Sequence, residues 1–203
     1  FIAALLTLIP FSVQGAGKEA TDEKVERLDS VVVSSSRAGR DTPVTFTMIE
    51  KESLNRFNPI NSLPANLALQ PSVVSVNEGG TGLGYSKMTV RGSKGSQINV
   101  TLNGITLNDA ESQEVFWVNI PALSSLISSV QLQRGLGTSA NGPGAFGASV
   151  NMSTASVNPG PSASAEMSVG SYGTFISTFA ASSGLLKSGV YFNFAYSRGL
   201  TDG

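Results

Sequence analysis

The chain has 203 residues and carries 13 Lys and Arg against 14 Asp and Glu, a net charge of -1. Only 13% of its residues are charged, well below the roughly 25% of an average soluble domain, and nothing in the balance resembles an electrostatic footprint for nucleic acid. There is no Cys and no His, which excludes a disulfide framework, a zinc–thiolate site, a cysteine nucleophile, a lipid-modified N-terminal cysteine and a Ser-His-Asp triad within these residues.

Phe1 to Ile9 (FIAALLTLI) is apolar apart from Thr7, and Pro10 and the small residues Gly15-Ala16-Gly17 follow. A short apolar run ending in small residues reads as the tail of a secretory signal peptide, so 1–17 is expected to be a signal peptide remnant. The alternative is a buried helix or strand of a soluble core. The run is too short to cross a bilayer as a helix, which takes about 20 apolar residues. No second apolar stretch of that length follows, so any membrane insertion would use strands. The chain opens on Phe1 rather than Met and stops soon after a new pattern begins, which reads as an N-terminal fragment.

Residues 18–27 (KEATDEKVER) are charged and read as a linker. Leu28, Asp29, Ser30, Val31, Val32, Val33 and Ser34 form a β-branched run suited to an extended strand, and 18–41 is expected to be a periplasmic linker that carries it.

Helix and strand signals then mix over 42–155. Val44 to Ile49 is predicted as a strand, and Glu50 to Phe57 as one or two helical turns ended by Asn58-Pro59. Ser62 to Leu69 is predicted as a short helix with Ser62 as its cap and Pro64 in the first turn, stopped by Pro71. Val73 to Val76, Lys87 to Gly92 and Gln97 to Leu102 are predicted strands, and Asn103-Gly104 is a hairpin turn signal. Between the first two of these strands lies the glycine-rich loop Gly79-Gly80-Thr81-Gly82-Leu83-Gly84, expected to be flexible. Pro121 to Ile127 is predicted helical. Val130 to Arg134 and Val150 to Met152 are predicted strands flanking a glycine-rich loop from Gly135 to Gly147. Together these make a small α+β domain.

After Pro159-Gly160-Pro161 the pattern changes. Ser162 to Val169 alternates strictly, with Ala163, Ala165, Met167 and Val169 on one face and Ser162, Ser164, Glu166 and Ser168 on the other. Thr174 to Ser182 puts Phe175 and Phe179 together, and Val190 to Ser197 puts Val190, Phe192, Phe194 and Tyr196 together. Consecutive segments of this kind fit the first strands of a transmembrane barrel. They fit a soluble antiparallel sheet with one wet face equally well. The export signal favours the barrel, and 160–203 is expected to be its beginning.

Several of these segments, in order, resemble the TonB-dependent receptor family. Leu28 to Ser34 (LDSVVVS) looks like the TonB box. Pro71-Ser72-Val73 followed by Val90-Arg91-Gly92 resembles the "PGV … IRG" section of the plug domain. Leu102 to Asp109 (LNGITLND) looks like the "DGVPLND" hairpin, with Asn103 for the usual Asp. Val130 to Met152 (VQLQRGLGTSANGPGAFGASVNM) resembles the plug's end, with Ala148-Ser149 where many members have Gly-Gly.

The resemblance implies an α+β plug domain followed by the first antiparallel strands of a large transmembrane β-barrel in the bacterial outer membrane. It implies active import of a scarce ligand, a ferric siderophore or a vitamin such as cobalamin, powered by TonB of the inner-membrane complex. The alternatives are an oligosaccharide importer of the SusC type, a non-transporting adhesin or, with less to favour it, a secreted enzyme. The partners implied are TonB, outer-membrane lipid and a small-molecule or metal-chelate substrate; no cofactor, metal or catalytic residue is implied. Leu28 to Ser34 would pair with TonB by strand addition. Arg91 and Arg134, each beside a Gly at a strand end, would lock the plug to barrel glutamates, or else be solvated charges. The loop Gly79 to Gly84 would face ligand or serve as a plain connector; it spells neither G-x-G-x-x-G nor a Walker motif. Asp109, Glu111 and Glu114 have no identifiable acid–base partner and read as a polar loop.

Overall fold

A computed structural model describes residues 37–39, 42–55, 62–80, 82–121, 123–136, 145–154 and 160–202. The elements run β1 (Phe46–Glu50), α1 (Lys51–Asn55), α2 (Leu63–Leu67), β2 (Val73–Asn77), β3 (Ser86–Val90), β4 (Ile98–Leu102), β5 (Ile105–Thr106), α3 (Leu123–Leu126), β6 (Ile127–Arg134), β7 (Ala148–Thr154), β8 (Ser162–Val169), β9 (Phe175–Ser182) and β10 (Asn193–Leu200).

The central sheet has the order β1-β6-β7-β4-β5. Only β4 and β7 pair in parallel, from Ile98↔Ala148 to Leu102↔Met152, so the sheet is mixed. Alternation along each strand gives it two unlike faces. One carries Ile49, Val130, Leu132, Val150, Met152, Ile98 and Val100, all buried. Leu54 of α1, Leu63 and Leu67 of α2, Val73, Met88, Val90, Trp117, Leu123 and Ile127 pack onto it. At about 1.5–3 kcal/mol per large buried side chain, this cluster is the main source of the domain's stability. The opposite face is largely polar: Gln131, Asn151 and Thr101 make one register row, Gln133, Ser149 and Asn99 the next, and on β1 the two rows end in Met48 and Phe46.

The elements expected from sequence between 46 and 154 are present, with ends shifted by one to three residues. Residues 56–61 and the loop 137–144 fall outside the described set. The Asn103-Gly104 turn has φ of 51° and 82°, positive at both positions, as a two-residue hairpin requires. Ser62 corrects the expectation of a capping hydroxyl: it makes no side-chain cap bond. Its Oγ instead accepts a bond from the Ser86 hydroxyl at 3.0 Å, in a buried contact that ties α2 to β3.

The last three strands form an antiparallel meander, β10-β9-β8. The third strand begins at Asn193, three residues later than the alternation from Val190 suggests. Ser183 and Phe192 close the loop before it, with the Ser183 N–H donating to Phe192 O at 2.9 Å, and Asn193 then pairs with Ser182. One face of this sheet gathers Ala165, Met167, Val169, Phe175, Phe179, Phe194, Tyr196 and Leu200, with Ser177 and Arg198 among them. It is the exposed face, with Met167 74%, Val169 77% and Phe194 60% accessible. The other face, with Ser164, Glu166, Thr178 and Ser197, turns toward the first domain: Ile176 packs against Leu83, and Thr178 Oγ1 lies 3.4 Å from Ser125 Oγ. A soluble sheet would bury the first face and wet the second. Here the arrangement is inverted, as in a barrel whose apolar band meets lipid and whose lumen is polar. No helix among the described residues is long and apolar enough to cross a membrane.

Candidate functional site

Two sequence-predicted sites converge at the end of the central sheet. Arg134, the last residue of β6, projects from the apolar face, because Leu132 and Val130 at the alternate positions do. It is 9% exposed. Its Nε donates to Pro71 O at 3.0 Å and its Nη1 to Thr47 Oγ1 at 2.8 Å, while its Nη2 is buried without a partner. Burial, followed by the nearby charge of Arg91, lowers the Arg134 pKa from its usual value.

Arg91 follows β3 and has φ 51°, in the left-handed region that a non-glycine residue occupies at a cost of about 1–2 kcal/mol. Its N–H donates to Ser72 O at 2.8 Å, closing the open end of the β2–β3 hairpin. From there Nη1 donates to the Arg134 carbonyl oxygen at 3.2 Å. Two arginines distant in sequence are therefore adjacent, and the one salt bridge among the described residues, Lys87 to Glu78 at 2.7 Å, involves neither. The pair is a concentrated positive site at the domain's edge.

The loop Gly79 to Gly84 joins β2 to β3, and Thr81 lies outside the described residues. The rest is organised rather than free. Gly79 and Gly80 N–H groups both donate to Asn77 Oδ1, at 3.0 and 3.1 Å, and Ser62 N–H donates to Gly82 O at 2.8 Å. Leu83 turns inward against Ile176, whereas Gly79 and Gly80 are exposed and Gly82 and Gly84 are half-buried. Leu28 to Ser34 lies outside the described residues.

Sequence reasoning assigned no role to Asn108 or Gly147, and both are structural keys beside these loops. Asn108 Oδ1 accepts from Val100 N–H at 2.8 Å, and its Nδ2 donates to Ile98 O and Gln113 O at 2.9 and 2.7 Å, pinning the 109–114 loop to β4. A Cβ on Gly147 would overlap Ser93, so close approach rather than backbone conformation demands glycine there. The carboxylate of Asp109 accepts from the backbone of Glu111 and Ser112 at 3.4 Å, which is turn chemistry. Among the described residues no group of three or more His, Cys, Asp or Glu is placed to hold a metal.

The sequence profile described as the TonB-dependent receptor plug domain matches residues 38–149. The copper transporter OprC superposes with a TM-score of 0.63 at 18% identity, over 77% of this chain and 24% of that one. The siderophore receptor PirA of Acinetobacter baumannii gives 0.57 at 19% identity, over 76% of this chain and 24% of the other. The ferric yersiniabactin uptake receptor FyuA of Yersinia pestis gives 0.54 at 19%, again over 76% and 24%. The chain thus spans about a quarter of the length of these receptors. No curated protein matches the sequence.

Proposed function

Because this chain belongs to the TonB-dependent receptor plug domain family, a family of the bacterial outer membrane, we propose that it supplies the plug and first barrel strands of an active importer of a scarce chelated metal or vitamin. The observation that carries the reading is the family match over residues 38–149 joined to a strand meander whose apolar face is outward and whose polar face meets the plug. Siderophore and copper receptors of the same fold favour a metal chelate, a ferric siderophore first and cobalamin second.

The chemistry follows from the compartment. An open barrel of this class is wide enough to need a plug. A scarce solute does not enter through it against a gradient without work. Leu28 to Ser34 supplies a β-branched segment whose main chain pairs with TonB by strand addition, delivering the inner membrane's energy to the plug. Arg91 and Arg134 hold the plug by pairing with barrel carboxylates; the buried, unpartnered Nη2 of Arg134 is the donor such a carboxylate would satisfy.

The test is energy-dependent uptake by the full-length protein, with and without residues 28–34, across a panel of ferric siderophores and cobalamin. Uptake lost on deletion while surface binding persists supports the coupled importer and names the ligand. Equal uptake in both forms, or none, transfers the assignment to an uncoupled barrel, a glycan importer or an adhesin.

A further inference from the structure

The polar face of the central sheet holds one segment of chain by side-chain hydrogen bonds. Ala38, 5% exposed, lies across β6, where the side-chain amide of Gln131 pairs with both of its main-chain groups. Ala38 N–H donates to Gln131 Oε1 at 2.8 Å, and Gln131 Nε2 donates to Ala38 O at 2.9 Å. The amide's orientation is fixed by Gln133, whose Nε2 donates to the same Oε1 at 2.8 Å. Arg37 adds a contact alongside, its Nη2 donating to Ser129 Oγ at 3.0 Å. A glutamine thus takes the place of a strand partner for a single residue.

The chemistry of this attachment differs from the rest of the domain. Removing a core element exposes apolar surface at about 25 cal/mol per Å². Lifting Ala38 from Gln131 exchanges two hydrogen bonds for bonds to water and exposes one methyl side chain, beside the polar row Gln131, Asn151 and Thr101 that ends at Met48 on β1. A buried hydrogen bond has a net worth of only about 0.5–1.5 kcal/mol once water can replace it. The segment can therefore detach while the apolar face of the same sheet stays packed. Ala38 stands four residues after Ser34, at most about 13 Å of extended chain, so a pull on the segment before it reaches this contact directly.

We infer that Gln131 is a positioning residue for transport: its amide latches the chain at Ala38 to the plug sheet and is the contact that yields when the preceding segment is pulled. The direction of the pull rests on the coupling role proposed above for Leu28 to Ser34; the latch itself rests on the geometry. Ala38 buries no more than a methyl group and is not part of the core cluster on the other face of β6, which is left intact.

The test uses the full-length protein in outer membranes, carrying a single cysteine at Ala38→Cys, and reads the rate of maleimide labelling. In the parent, labelling is slow and rises when the inner membrane is energised. Gln131→Leu, of similar volume but unable to pair, raises the unenergised rate about tenfold or more, the change expected from two lost bonds. Gln131→Glu, which keeps the acceptor for the Ala38 N–H, gives an intermediate rate and guards against misfolding as the explanation. A single cysteine at the core residue Val150 should stay unlabelled in all forms. Unchanged labelling in Gln131→Leu, or labelling at position 150 in parallel with 38, overturns the latch. Faster labelling in Gln131→Leu with no response to energisation in the parent leaves the latch standing and removes the coupling role instead.

Discussion

Arg91 donates from Nη1 to the carbonyl oxygen of Arg134 at 3.2 Å, so the side chain of one strand-end arginine completes the backbone of the other. The two serve different ends. Arg134 is buried and holds Pro71 O and Thr47 Oγ1; Arg134→Met is expected to destabilise the plug by about 2–3 kcal/mol, because those acceptors lose charged donors. Arg91 is exposed and sits at φ 51°, where glycine is at ease. Arg91→Gly relieves that strain as it removes the bond, and the barrel pair proposed for this exposed side chain is worth no more than about 1 kcal/mol, so plug stability should change by about 1 kcal/mol or less. Urea-dependent hydrogen exchange of the β6 amides in the full-length protein measures both. Equal losses in the two variants would contradict this division.

Asn103 stands where the resembling motif has Asp, and its side chain closes a loop of its own. Its Nδ2 donates to Thr154 Oγ1 at 2.9 Å and its Oδ1 accepts from Thr154 N–H at 3.0 Å. Asn103→Asp keeps the acceptor, and the Thr154 hydroxyl can turn to donate, so stability should hold within about 0.5 kcal/mol. Asn103→Ala loses both bonds and strains the positive φ, costing about 2 kcal/mol. Thermal unfolding of the pair of variants decides it; a cost for Asp matching that for Ala would show that the donor alone matters.

The outward face of the meander, whose own charge Arg198 lies toward the end of β10, should tolerate no charge at mid-strand. Phe179, mid-strand in β9 and flanked in register by Ala165 and Tyr196, projects to that face. Phe179→Arg is expected to lower the yield of folded outer-membrane protein, with a penalty of up to about 2–4 kcal/mol near the bilayer midplane. Ser164→Arg, on the opposite face beside Ala180, should assemble normally. Assembly assays on both would expose a soluble sheet by the reverse result.

Val32 lies in the segment proposed to add a strand to TonB. Proline there lacks the N–H that strand pairing uses, so Val32→Pro should abolish energised uptake and leave ligand binding unaltered. Undiminished uptake would leave the segment without a coupling role.

Local signals carried a good part of this protein. Period-2 alternation located β8 at Ser162–Val169 to the residue, and Asn103-Gly104 announced the β4–β5 turn, because both depend on neighbours along the chain. The Arg91 and Arg134 positions were legible from motif resemblance, whereas their adjacency was not. Gly147 was legible as part of a glycine-rich loop, but its need for glycine comes from Ser93, a neighbour only in space.

An α+β domain followed by two-faced strands is already written in composition and period. Which face of those strands looks outward is settled in three dimensions. Alternation says that two faces differ, and the same pattern serves a soluble sheet or a barrel. The choice is made where Ile176 and Thr178, on the polar face, meet Leu83 and Ser125, while Met167, Phe179 and Phe194 stay exposed among the described residues. The same holds for Gln131, whose buried amide reads in sequence as one more polar strand residue and acquires its partner, Ala38, from 93 positions away.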